Sequence, residues 1–340
     1  MQSTAKRIEY LDFVRIFAML SVILLHCICD YNSDGAAFGR PLWYLTCVLN
    51  EITRVGVPLF FMTSGALMLE GRTSDLGRFY KSRFLKILPK FAVYTILYYV
   101  FFSVLNGEKI FDFRFVSQVL NSGTAYHLWY MYSLCAIYLL MPFFGAAAEK
   151  FGRGGIFILL CLIVFQTGLK PVINIFAQGK IYIYLCEDGV LGYMGYVLLG
   201  YILSKTEFTR FKRYALYFAA AVCTAVFAAA NAGFAMTGEG FPFNFGYGIN
   251  HYIEAAAVFV LLKYAPIPGG KLAGLLSKTV FDVYFIHVLL IELFKLWFLN
   301  RVNLTPSAYM LLMLVFTVVF GFGFGIIVLK LKEFIHEKNV

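Results

Sequence analysis

LDFVRIFAMLSVILLHCIC, Leu11–Cys29, is an apolar run in which Asp12, Arg15 and His26 are the only readily charged side chains. At about 1.5 Å per residue it is long enough to cross the roughly 30 Å hydrocarbon core of a bilayer as one helix. It follows Lys6 and Arg7, as a secretory leader would. It is longer than a leader's apolar region, contains Arg15 and lacks a small-x-small cleavage site. It therefore reads as an uncleaved first membrane span.

Working outward, the chain repeats this pattern. Further apolar runs cover Val48–Leu69, Phe91–Leu105, His127–Phe144, Gly155–Leu169 and Gly189–Ser204. Four more cover Tyr214–Phe234, Ile249–Ala265, Val280–Leu299 and Ala308–Leu329. The third and eighth are short, and a re-entrant segment is the alternative for each. With these runs the loops divide into two sets. About 20 Lys and Arg share the N-terminal side, against about 6 on the other, which places both termini in the cytoplasm. The expected fold is an all-α, polytopic membrane bundle of about ten transmembrane helices. No repeat, linker or low-complexity tract divides it, so residues 1–340 read as a single domain.

Composition agrees. The 340 residues are 61% hydrophobic and 14% charged, with mean hydropathy +0.75. A soluble domain carries roughly a quarter charged residues, so a soluble chain of this kind could not cover its own surface. The net charge of +10 would suggest nucleic acid as the partner of a soluble protein. The loop asymmetry accounts for it here, and no nucleic-acid partner is expected. The seven cysteines are odd in number and lie mostly in apolar runs, as small hydrophobes do. Cys27 and Cys29 point apart on a helix and no second Cys/His pair completes a metal site, so neither a disulfide framework nor a metal is expected.

Charge inside a membrane costs about 2.5–3.5 kcal/mol per group at a helix centre, so each such residue is a candidate for function. Arg15 and His26 are 11 residues apart, close to three full turns, and share one helix face about 16 Å apart along the axis. Asp12 stands one turn before Arg15 and can pair with it. The plainer reading is an Asp–Arg clamp beside a packed histidine; a polar line on one face suggests a lined cavity. Glu51 and Arg54 are one turn apart at the outer start of the second run and can be an interfacial pair. The Ser64-Gly65 pair on that run permits close helix approach. A basic stretch follows, with Arg72, Arg78, Lys81, Arg83, Lys86 and Lys90. It serves topology and anionic lipid; Arg83 and Lys86, at i,i+3, can also grip a phosphate together. The fourth run opens Tyr126-His127-Leu128-Trp129-Tyr130, where aromatics belong to the interfacial belt and His127 does not. Further outer polar groups are Glu187, Asp188, Asn250, His251 and Glu254. The ninth run holds Asp282, His287, Glu292 and Lys295. Two clusters emerge. The inner one combines Asp12, Arg15, Arg83, Lys86, Lys90 and Asp282; the outer one combines His26, Glu51, Arg54, His127, Glu254 and Glu292. A reaction between a cytosolic donor and an outside acceptor needs that separation, and so does a transporter.

The residues Arg7-Ile8-Glu9-Tyr10-Leu11-Asp12-Phe13-Val14-Arg15, followed by Ala18 and His26, resemble the opening signature of the acyltransferase family 3 membrane proteins. Arg54 to Leu67 (RVGVPLFFMTSGAL) is similar to that family's R-x-G-V-P-x-F-F-x-x-S-G. Arg83 to Pro89, His127-Leu128-Trp129-Tyr130 and Val283-Tyr284-Phe285-Ile286-His287 continue the resemblance in order along most of the chain. One departure stands out: Lys86 holds a place where the family often has a second Arg, so the planar fork is lost. The sequence resembles the short, membrane-only members, and no appended extracytoplasmic domain is expected.

The resemblance implies a bacterial inner (plasma) membrane enzyme. Its activity would be transfer of an acyl group, acetyl by expectation, from cytosolic acetyl-CoA to a hydroxyl of a sugar, cell-envelope glycan or lipid-linked acceptor. His26 is the expected general base, because imidazole changes charge near neutral pH; a nucleophilic role for it stays open. Glu51 or Glu254 would orient it, and Arg54 or His127 would face the developing oxyanion. Arg15, Arg83 and Lys86 would hold the CoA phosphates, and Trp129, Glu254 and His287 would bind the acceptor. The competing class is a transporter or flippase, whose inverted repeats are not evident here.

Overall fold

Membrane insertion is decided run by run, and each apolar run becomes a helix. The structure is a computed structural model that describes residues 8–69, 75–110, 113–121, 123–169, 172–173, 189–238, 248–267, 270–298 and 303–338. Lys6, Arg7, Arg72, Lys170, Pro171, Lys180, Cys186, Glu187, Asp188, Leu299 and Arg301 lie outside them. Among the described residues the chain is helical, with no strand. In order the helices are α1 (Glu9–Ser33), α2 (Pro41–Thr53), α3 (Gly56–Met68), α4 (Leu76–Leu105), α5 (Phe113–Leu120) and α6 (Trp129–Ile163). Then come α7 (Gly189–Lys205), α8 (Arg210–Met236), α9 (Ile249–Tyr264), α10 (Lys271–Phe298) and α11 (Pro306–Lys338).

Among the described residues six stretches are long and apolar enough to cross a membrane: Glu9–Ser33, Pro41–Met68, Leu76–Leu105, Trp129–Leu169, Arg210–Met236 and Pro306–Ile335. The fourth holds two of the apolar runs. Its 41 residues would make a straight rod of about 60 Å, twice the hydrocarbon thickness. Gly152 breaks it at φ 62°, a left-handed backbone that a residue without Cβ adopts freely. Lys150 and Arg153 flank the break. A π-helical turn, Val164–Leu169, ends the second half. The sixth, eighth and ninth runs fall on α7, α9 and α10. The first two are only 17 and 16 residues long. Many of their side chains are buried in the bundle, including Met194, Tyr196, Val197, Ala255 and Phe259.

Helix ends follow local chemistry. Asp75 caps α4 by accepting from the Arg78 amide at 2.9 Å, and Thr209 caps α8 by accepting from Lys212 at 3.4 Å. Lys263 on α9 donates to the Leu203, Ser204 and Thr206 carbonyls at the end of α7, supplying a cation to orphan acceptors. The end of α1 is tied to α2, where Trp43 Nε1 donates to the Asn32 carbonyl at 2.9 Å.

Helix α1 sits at the hub, packing against α2, α3, α9, α10 and α11. Its Leu11, Val14, Ala18, Met19 and Ile23 are buried, so Arg15 and His26 are carried on a well-enclosed helix. The closest approach in the bundle is between α3 and α7, where a Cβ on Gly65 would stand 1.8 Å from the Val197 carbonyl oxygen. Only glycine allows that contact.

Candidate active site

Arg15 projects from α1 toward α10, with Nη1 3.5 Å from Ser277 Oγ and 3.8 Å from Asp12 Oδ1. A cavity of about 550 Å³ opens beside it. Its wall takes Phe60, Thr63, Ser64, Leu67 and Met68 from α3, Arg83, Lys86 and Ile87 from α4, and Tyr130, Leu134 and Tyr138 from α6. Ser277, Lys278, Val280, Phe281 and Tyr284 from α10 complete it. Arg15, Arg83 and Lys86 thus meet in one space, although the sequence separates the first from the others by a whole span. Arg83 Nε is buried without a hydrogen-bond partner among the described residues. A guanidinium donor left unmet beside a polar cavity fits an anionic ligand. Lys278 joins the cations; the sequence reading counted it only as loop charge.

Tyr284 links this cavity to a group of imidazoles. Tyr284 lines the cavity, and its ring centroid lies 5.5 Å from that of His127 and 5.7 Å from that of His287. His26 stacks on His287 at 5.3 Å, and His127 meets His287 edge-on at 5.1 Å. Three elements supply this trio: α1, the turn before α6, and α10. His287 Nδ1 lies 2.6 Å from the Tyr284 carbonyl and donates to it, which leaves Nε2 as an acceptor. That Nε2 and both ring nitrogens of His127 are buried without a partner among the described residues. Buried polar atoms are normally satisfied, so three orphaned ones around one point mark a place for a ligand.

The acidic candidates lie elsewhere. The expectation that Glu51 or Glu254 orients His26 is corrected: both face His251. His251 Nδ1 is 3.1 Å from Glu254 Oε2 and 3.8 Å from Glu51 Oε1. Asn250 Nδ2 donates to Glu51 Oε1, Asn231 Nδ2 lies 3.4 Å from Glu51 Oε2, and Thr224 Oγ1 donates to Glu254 Oε1 at 2.7 Å. Glu51, His251 and Glu254 are all buried, with donor atoms within 4.8 Å of one another, a spacing that a cation can bridge. Protein hydrogen bonds already satisfy the three. Sequence reasoning put Glu51 and Glu254 in one outer cluster but left His251 out of it, because Glu51 comes from a helix distant in the chain and its partner is set by packing. Arg54 is close enough to interact electrostatically with His26, Glu51 and His251, and its Nε donates to Asn50 Oδ1 at 2.7 Å.

Three other expectations are adjusted. Asp282 does not join Arg15; it pairs with Lys90 and, at 3.3 Å, with Lys332. Trp129 packs on Tyr193 at 5.3 Å rather than on the imidazoles. Glu292 pairs with Lys295 at 3.2 Å, and Lys295 reaches Asp30 at 2.6 Å. The six described cysteines, Cys27, Cys29, Cys47, Cys135, Cys161 and Cys223, are free thiols.

Helices of membrane-spanning length, with arginines and histidines gathered in their interior, define a multi-pass membrane protein with a polar core. The chain matches the acyltransferase family 3 model, described as an acyltransferase domain, over residues 8–326, and belongs to that family. It is a membrane acyltransferase. No curated protein and no solved structure matches the chain.

Proposed function

We propose that this acyltransferase moves a short acyl group, acetyl first, from cytosolic acyl-CoA to a hydroxyl of a sugar, cell-envelope glycan or lipid-linked acceptor. The chain forms one domain of about ten spans in the bacterial inner membrane, with both termini cytoplasmic. The observation that carries the reading is the juxtaposition of a cavity holding Arg15, Arg83 and Lys86 with the imidazole trio, Tyr284 touching both.

Arg83, Lys86, Lys278 and Arg15 face the CoA phosphates, and the pantetheine arm runs along the α1 face that joins Arg15 to His26 across about 16 Å. The acceptor hydroxyl meets the thioester at the trio. His26, half-buried, takes the hydroxyl proton as the oxygen attacks the thioester carbonyl. A new C–O bond forms and the carbonyl becomes an oxyanion, which a His127 N–H and Arg54 stabilise in a low-dielectric setting. The C–S bond breaks as the oxyanion collapses, and the departing CoA sulfur receives the proton that His26 held. The base is regenerated and the products are an ester and CoA. His287 bounds the acceptor side, and Glu51 and Glu254 act through the His251 network beside Arg54.

Calorimetric binding of acetyl-CoA to the purified protein in detergent tests the reading. Arg83→Ala should weaken binding at least about tenfold, the scale of one lost charge-assisted contact. His26→Ala should retain binding and lose transfer. Failure of the folded wild-type protein to bind acetyl-CoA would overturn the donor assignment, and full transfer by His26→Ala would overturn the base.

A further inference from the structure

The cavity wall includes an aromatic pair whose two members are held differently. Tyr130 on α6 and Tyr284 on α10 both line it, are 6% and 3% exposed, and stand with ring centroids 5.2 Å apart at 64°. Tyr284 is pinned. Its hydroxyl donates to the His127 carbonyl at 2.5 Å, and its ring is bracketed by Phe285 at 5.5 Å and by the His127 and His287 rings. Tyr130 makes no side-chain hydrogen bond among the described residues. Packing alone holds it, against Phe61 at 5.0 Å and Phe60 at 6.1 Å. Ring contacts of that kind yield to rotation more readily than a buried hydrogen bond to backbone.

We propose that Tyr130 and Tyr284 form an aperture between the basic cavity and the imidazole trio that selects acyl donors by chain length, with Tyr284 as the fixed leaf and Tyr130 as the moving one. The assignment rests on the acyl-CoA reading and adds the specificity element to it. Tyr284 lines the cavity and touches two of the imidazoles, and Tyr130 packs on it, so an acyl group moving from the Arg83 side to the imidazoles has to pass this pair. Acetyl presents one methyl group. Each added methylene requires a wider or longer-lived opening against rings that are close-packed on their far sides. Discrimination by one methylene in an apolar site is about 10–200-fold. A few carbons therefore separate accepted from refused donors, and the enzyme is a short-chain acyltransferase by construction.

The test is calorimetric affinity of the purified full-length protein for free CoA, acetyl-CoA, butyryl-CoA and hexanoyl-CoA, wild type beside Tyr130→Ala and Tyr284→Phe. The wild type should bind acetyl-CoA at least about tenfold more tightly than hexanoyl-CoA. Tyr130→Ala should bring the two within about threefold, the ratio between acyl-CoAs rather than the affinity for free CoA being the readout. Tyr284→Phe keeps the ring and loses the tether to the His127 carbonyl, so it should move the ratio the same way by a smaller factor, and it serves if Tyr130→Ala does not fold. Equal wild-type affinity for all three acyl-CoAs, or an unchanged ratio in folded variants that still bind free CoA, would overturn the aperture alone. Loss of all CoA binding in the wild type would remove the donor reading along with it.

Discussion

Substituting Ala for Gly65 puts one methyl group where there is no room for it. The new Cβ would lie 1.8 Å from the Val197 carbonyl oxygen, 2.7 Å from its carbon and 3.0 Å from its Cα, against 3.4 Å for the start of ordinary contact. All three atoms are backbone, so no rotamer change on α7 relieves the clash, and the helices have to part by about 1.6 Å locally. The contact is reciprocal, since a Cβ on Gly200 would meet the Met62 carbonyl oxygen at 2.1 Å. Overpacking of this kind costs about 1–3 kcal/mol and occasionally more, which for a chain of 340 residues corresponds to a fall in melting temperature of about 1.5–4 °C. The same displacement moves Phe60, Thr63, Ser64 and Leu67, which line the cavity from α3, so acetyl-CoA affinity should fall with stability. The assay is intrinsic-fluorescence melting in detergent with acetyl-CoA titration, and Gly233→Ala is the control. A Cβ on Gly233, in α8, meets nothing within 4 Å, so Ala there should be neutral or stabilising by up to about 1 kcal/mol through helix propensity. If Gly65→Ala and Gly200→Ala both melt within about 1 °C of the wild type, the α3–α7 packing argued here is wrong.

Tyr98 is fully buried, and its hydroxyl donates to the Phe285 carbonyl at 2.8 Å while accepting from the Leu289 amide at 3.0 Å. Those groups are one i,i+4 step of α10 with His287 between them. Tyr98→Phe should cost about 1–3 kcal/mol and lower turnover with acetyl-CoA affinity unchanged; an equal loss of affinity would contradict a role confined to the His287 turn. Lys90→Met removes one of the two cations on buried Asp282, and should lower the melting temperature by several degrees because the carboxylate stays buried with only half-exposed Lys332. The double variant Lys90→Met/Asp282→Asn should recover part of that loss, and a double that melts below the single would show that the pair is not what stabilises this contact.

Sequence by itself determined that this is a membrane protein, which helices it forms and which residues are out of place in them. Transfer of an apolar run from water to lipid is a local property summed over about 20 side chains, so Leu11–Cys29 and its successors could be read one at a time. The shared face of Arg15 and His26 was equally legible, because helical periodicity fixes it within α1. The ordered motifs supplied the family. Which polar residues meet was a different question. His26, His127 and His287 come from three elements, Glu51 and His251 from two, and Tyr130 and Tyr284 were only the neighbours of quoted histidines. Their assembly depends on how helices pack, and between membrane helices that is settled by small residues, shape and buried hydrogen bonds rather than by hydrophobicity, which is the same on every lipid-facing side. Gly65 against Val197 sets the approach of α3 to α7, and Tyr98 fixes α4 to the turn of α10 that carries His287. Those contacts join residues more than a hundred positions apart, so only the tertiary structure could place the basic cavity beside the imidazoles with Tyr284 touching both.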